Sequence, residues 1–262
     1  AVTEQGLDPR RFILCTDDVH SQTLVSQGHM DRVVRHAIAQ GLNPVTAVQM
    51  ATINAADHFG VSRHMGMIAP GRFADVVLVD DLVDFYAEVV IARGQVIAEK
   101  GGMIVDLPQV SYPEWVQNSV HLKRPLEPAD FRLLSERKQV TANVIGAIEN
   151  QAQDGEVKAD LNRDLAKIAP VERHRGTGEV RVGLVNGFGL EHPCAIATTV
   201  ARDSHQMIVV CTDDSDMALA ANTLARCGGG QVVVLRGEVV GMVNLPIGGL
   251  MSNEPADLVA QK

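Results

Sequence analysis

Runs of apolar residues and mixed stretches follow one another along the chain in patterns that predict different elements. Residues 12–15, "FILC", are continuously apolar, as expected of a strand covered on both faces in a parallel sheet. "SQTLVSQ" reads as a short helix closed by Gly28. "MDRVVRHAIAQGL" reads as a longer one whose Val33, Val34, Ala37 and Ile38 share a face. Asn43-Pro44 opens a further helix, "NPVTAVQMATINAADHFG", with Pro44 in its first turn and Gly60 as its stop.

The pattern changes at Gly66. "ADVVLVD", "AEVVIARG" and "QVIAEKG" are strand candidates, with "ARGQ" as a tight hairpin turn between the last two. Residues 106–129 hold four prolines and little periodicity, which predicts a linker with one strand in it. A helical segment is expected from Phe131 to Ala152, its end open between helix and strand by periodicity. A strand "QMIVVC", a helix "DMALAANTLARC" stopped by three glycines, and a hairpin "QVVVLRGEVVGMV" follow.

Composition narrows the classes. At 262 residues the chain can bury a sizeable core in one or two domains. A formal charge of −9 argues against a phosphate-backbone partner, and one Trp with two Tyr leaves little for base stacking. Nucleic acid is therefore not an expected partner. No apolar run approaches a membrane span, and the polar start "AVTEQGLDPRR" lacks a signal-peptide core. Cys15, Cys194, Cys211 and Cys227 form no C-x-x-C pair and sit in or beside apolar runs, as reduced cytoplasmic thiols do.

The tetrapeptide "CTDD" occurs twice, at 15–18 and at 211–214, and each copy is later followed by an R-G-[QE]-V hairpin. The separation is 78 residues in one case and 25 in the other. A duplicated unit would keep its spacing, so these are two different features. After the second copy an amphipathic helix begins almost at once, with Met217, Ala220, Ala221 and Leu224 on one face. Asp213, Asp214 and Asp216 then cap its free N–H groups. After the first copy no helix starts directly, and His20 lies close behind. The residues alone leave two readings: a solvated loop with an Asx-turn, or paired carboxylates at the carboxyl end of a buried parallel strand, where β/α barrels assemble active sites.

Residues 43–80, "NPVTAVQMATINAADHFGVSRHMGMIAPGRFADVVLVD", resemble the closing segment of metal-dependent amidohydrolases. There an A-T-x-N-x-A helix leads to G-x-I-x-P-G-x-x-A-D and a strand. "RHRGTG", "GLVNGFGL", "VARDSHQMIVV", "RCGGGQVVV" and "LPIGGLMS" resemble the C-terminal domain of the bacterial adenine deaminases, and "FILCTDDVH" resembles that family's last barrel strand. The resemblance implies an α/β fold in three parts. Residues 1–65 would be the last strand and helices of a TIM-like barrel, 66–125 a small β-domain and linker, and 126–262 an α+β C-terminal domain.

It also implies a chemistry, adenine to hypoxanthine and ammonia. Asp17 would bind a divalent metal, manganese or iron, and shuttle protons, while the metal lowers the pKa of its bound water. Asp18 would face the purine, and His205, in "DSH", would reach the substrate from a loop; a loop-ordering role for His205 is the alternative. Arg175 and Arg202 stand where this family often has a histidine, and Gln206 where it has an asparagine, so no His-dependent role carries over to them. His29, His36, His58 and His64 lie on or near helices and read as structural or solvent-facing.

No H-x-H occurs among the nine histidines. The expectation is therefore the C-terminal part of a longer enzyme, inactive alone, with the rest of a barrel as its partner and room for a homo-oligomer. Two rivals stay open: an amidohydrolase with a different cyclic substrate, and a non-catalytic assembly module. The glycines of "RHRGTGEV" lack phosphate-loop spacing and read as a tight turn.

Overall fold

The computed structural model describes residues 1–108, 110–133, 141–148, 151–158, 164–190, 192 and 194–262. It divides into two compact units, Ala1–Val110 and Ser111–Ala260 in their main spans, and each is described by itself.

The first unit is helical and then β. It runs through α1 (Val2–Gln5), a 3-10 turn at Pro9–Arg11, α2 (Ser21–Gln27), α3 (Met30–Ala39), α4 (Pro44–Ala51) and α5 (Ile53–His58). The amphipathic stripe of α3 does as its spacing predicts: Val34 and Ile38 are buried against Ala47 of α4, with Leu14, Leu42 and Phe85 around them. Asn43 starts α4 by accepting the backbone N–H groups of Val45 and Thr46 at 3.0 and 3.3 Å, with Pro44 in the first turn. Then come β1 (Val76–Val79), β2 (Ala87–Ala92), β3 (Gln95–Glu99) and β4 (Gly102–Met103), an antiparallel sheet in chain order. Arg93 and Gly94 turn the β2–β3 hairpin with φ of 50° and 82°, the paired positive φ that a right-twisted two-residue hairpin requires.

The second unit contains α6 (Glu114–Gln117), a 3-10 turn at Pro128–Phe131, and then β5 (Thr141–Ile148), β6 (Gln151–Lys158), β7 (Leu165–Val171) and β8 (Gly183–Asn186). After these come β9 (Cys194–Thr198), β10 (Met207–Cys211), α7 (Asp214–Cys227), β11 (Gly230–Leu235), β12 (Glu238–Asn244) and α8 (Ala256–Ala260). One sheet orders its strands β12-β11-β9-β10-β7-β8-β5-β6, and β5 with β8 is its parallel pair. Helix α7 lays Met217, Ala220, Ala221 and Leu224, all fully buried, on Ala195, Ala197, Val209 and Val232 of the sheet. Burying a Met or Leu side chain completely contributes about 1.5–3 kcal/mol.

Four expectations are corrected. Residues 12–15 form no strand: Phe12 is extended, but a ladder needs a neighbour, and Leu14 N–H bonds instead to the Met50 carbonyl at 3.1 Å. The helix from Asn43 breaks at Thr52, whose hydroxyl bonds back to the Val48 carbonyl at 2.6 Å and whose backbone leaves the helical region at φ −130°, ψ −89°. The segment Phe131–Ala152 is not a helix where it is described. Thr141–Ile148 is a strand, because Val144 and Ile145 pair with Leu184 and Val185 of β8; residues 134–140 and 149–150 of that expectation lie outside the described residues. Between 106 and 129 no strand is formed among the described residues; α6 is there instead.

Candidate functional site

The first "CTDD" follows the segment 12–15, which is held from the helices. The Asn54 side chain donates to the carbonyls of Pro9 and Phe12, both at 2.9 Å, and Leu14 bonds to Met50. Asn54 is the asparagine of "ATINAA", and it positions the chain that leads to Asp17. The sequence motif marked it without revealing this role. Behind it Gly66, at φ 96°, passes so close to α5 that a Cβ would lie 2.7 Å from that of Ala56. Only a glycine fits there.

Asp17 itself has φ 53°, a left-handed conformation that Asp tolerates better than most residues. Its carboxylate is exposed, and Oδ1 accepts the Asp18 N–H at 2.8 Å. Asp18 is also exposed. His20 is the residue before α2, and its carbonyl accepts the Leu24 N–H at 2.9 Å. The geometry is thus two exposed aspartates on a loop whose base is fixed. Among the described residues, no three His, Cys, Asp or Glu side chains are arranged to hold a metal ion. Asp17 can offer one donor, where a catalytic divalent ion takes several.

His205 belongs to the second unit, in the turn before β10. Both Asp203 and His205 have positive φ, 64° and 47°. The His205 carbonyl accepts Arg173 Nε at 2.6 Å, and its Nδ1 is buried with no hydrogen-bond partner. Arg173 was not singled out by sequence, yet it is 1% exposed and ties three loops together. Nη1 donates to the Ser119 carbonyl at 3.0 Å and Nη2 to that of Gly248 at 3.1 Å. Burial pushes its pKa below the ordinary arginine value. Its backbone N–H donates to Gln206 Oε1 at 3.1 Å, so Gln206 serves the same junction.

Two glycine-bearing loops that could have cradled an anion are filled by the protein's own carboxylates. Glu172 accepts the N–H groups of His174, Arg175 and Thr177 at 2.6, 2.8 and 3.0 Å. Burial would raise its pKa, but these donors outweigh that and hold it at about 2. Asp164 accepts Gly187, Gly189 and Leu190 in the same way. "RHRGTG" is the tight turn its spacing predicted.

The second "CTDD" is a helix start. Asp213 caps α7, Asp214 pairs with Lys167, and buried Asp216 accepts the Gly237 N–H at 2.8 Å. All four cysteines are free thiols. No described helix is long and apolar enough to cross a membrane.

The amidohydrolase family pattern matches residues 1–141. The chain belongs to the amidohydrolase family. Residues 139–262 match the adenine deaminase C-terminal domain. Adenine deaminase 3 of Rhizobium meliloti (strain 1021) is 50% identical over 274 residues, taking in 100% of this chain and 46% of its own length. Adenine deaminase of Ruegeria sp. (strain TM1040) is 53% identical over 271 residues, 99% of this chain and 45% of its own. That of Moorella thermoacetica is 46% identical over 275 residues, 100% and 46%. The chain spans about half the length of the relatives it matches.

Proposed function

We propose that this chain is the C-terminal portion of an adenine deaminase, converting adenine and water to hypoxanthine and ammonia. One observation carries the reading: about 50% identity along the whole chain to proteins named for that activity. In this reading residues 12–15 become the last strand of a TIM-like barrel once neighbouring strands are present to pair with them. Residues 1–65 close the barrel, 66–125 are the β-domain and linker, and 126–262 the C-terminal domain.

The amidohydrolase family is generally metal-dependent, and manganese or iron is the metal we infer. The described residues of this chain do not fit a complete metal centre, so the remaining donors must come from the part of the relatives' length that this chain does not span. This chain supplies Asp17. With Oδ1 engaged by the Asp18 N–H, Oδ2 is the oxygen left to take a proton from the attacking water and return it to the departing amine. Asp18 faces the base, and His205 meets the substrate from its loop. The reading places the enzyme in the cytoplasm.

The test joins this chain to the half of the relatives' length it does not span and measures hypoxanthine formation with added Mn²⁺ or Fe²⁺. Turnover that Asp17→Asn abolishes supports the reading. A folded, metal-loaded protein that leaves adenine intact but opens hydantoin or dihydroorotate overturns the substrate. One that turns over none of these favours an assembly module.

A further inference from the structure

His205 stands in a loop that its backbone, not its ring, keeps in place. Its N–H donates to the Ala201 carbonyl at 2.7 Å, and its carbonyl accepts Arg173 Nε at 2.6 Å. Just before it the Ser204 N–H meets the Arg202 carbonyl at 2.8 Å, and just after it Gln206 Oε1 accepts the Arg173 N–H at 3.1 Å. These bonds hold His205 at φ 47° and so set the direction of its side chain. His174 behaves otherwise: its Nε2 reaches the Ser204 carbonyl at 3.2 Å, so there the ring itself orders the loop. Among the described residues the His205 ring makes no hydrogen bond.

The two ring nitrogens are not equivalent. Nδ1 is buried with nothing to bond to, whereas Nε2 is not closed off in this way and the residue as a whole is half-buried. A proton on Nδ1 would be a buried donor without an acceptor, a kind of unmet polar group that folded proteins rarely keep. The Arg173 guanidinium, a buried cation on this residue's own carbonyl, favours a lone pair nearby over an N–H. What Nδ1 meets therefore decides which nitrogen carries the proton.

We propose that His205 keeps its proton on Nε2 and donates it to the lone pair of a ring nitrogen of adenine. This rests on the reading that His205 meets the substrate, and it gives that contact a direction. Adenine offers lone pairs at N1, N3 and N7, and a neutral N–H suits any of them without bringing a charge into the site. Asp18, an acceptor alone when ionised, suits the N–H groups of the base, so the two side chains read opposite kinds of atom. A site built around a donor rejects an analogue that lacks the acceptor, because the donor is then left unpaired.

Two measurements test this, the first on the chain as it stands. Long-range ¹H–¹⁵N correlation at mildly alkaline pH, where histidines are neutral, should show a protonated Nε2 and a bare Nδ1 for the ring that disappears in His205→Asn. A protonated Nδ1 overturns the proposal. The second uses the joined enzyme and adenine analogues with a C–H in place of N1, N3 or N7, each measured as an inhibitor of adenine turnover. One of the three should bind about tenfold or more weaker than adenine. That difference should vanish in His205→Asn, which keeps the tolerance for left-handed φ but falls short of the Nε2 position. His205→Gln, whose amide nitrogen reaches that position, should restore part of it. A histidine that only orders the loop would weaken every analogue alike. Equal binding of all three by the wild type, or discrimination that His205→Asn leaves unchanged, overturns the proposal and keeps adenine as the substrate. A folded, metal-loaded joined protein inert toward adenine overturns the ligand together with the deaminase reading.

Discussion

Asp213 Oδ1 accepts the backbone N–H of Ser215 at 2.8 Å and closes the first turn of α7. Asp17 Oδ1, in the same tetrapeptide, reaches the N–H of its neighbour Asp18 on a loop. Asp213→Ala should therefore cost about 1 kcal/mol of stability, the usual loss of an N-cap. Asp17→Asn, which keeps the tolerance for positive φ, should stay within about 0.5 kcal/mol. Urea denaturation of the two variants separates the roles without any activity assay.

The Glu172 carboxylate should make the second unit sensitive to acid. Its folded pKa of about 2 lies below the ordinary value of 4.5. Its contribution to stability is thus complete above about pH 4.5 and fades as pH falls toward 2. Glu172→Gln should cost about 1 kcal/mol at neutral pH, after allowance for solvent screening. The gap from wild type should close as the pH is lowered through that window. A gap that stays constant with pH would assign the loss to shape rather than charge.

Thiol reactivity should be ordered by burial. Cys15 is exposed and Cys211 wholly buried, its thiol pushed up to about 11 by burial first and the nearby Asp216 and Asp213 charges besides. A chromogenic disulfide reagent at mildly alkaline pH should titrate Cys15 quickly and Cys211 only after unfolding. Substituting Cys15 by Ser should remove the fast phase.

Gly230 admits no side chain. It sits at φ 147°, and a Cβ there would lie 2.1 Å from the Val243 carbonyl oxygen of the adjoining strand. Gly230→Ala should destabilise the second unit by about 3 kcal/mol or more. Gly237→Ala shares a positive φ but opens into free space, so it should cost far less. Thermal melts of the pair measure the difference.

Elements that depend on nearby residues were legible in the sequence. The stripe of α3, the Asn43 cap, the Arg93-Gly94 turn and the start of α7 each rest on side chains within a few positions. Residues 12–15 pair with no strand here because a strand is completed by partners elsewhere. At Thr141–Ile148 periodicity leaves helix and strand open, and the distant β8 settles the conformation. Of the candidate site, Asp17 and Asp18 could be found from their place after an apolar run. Arg173 could not, since nothing in "VERHRG" shows that three loops from Ser119, His205 and Gly248 would converge on one guanidinium.

The attachment of residues 9–14 to Asn54 and Met50 has a dynamic corollary. A barrel strand inherits stiffness from its sheet, but here the approach to Asp17 hangs from two short helices by three hydrogen bonds. Fraying of α5 would slacken the carboxylate loop at the same moment. Hydrogen exchange at Leu14 therefore reports on helix opening near Met50, and the loop's stiffness is borrowed from the helices that hold its base.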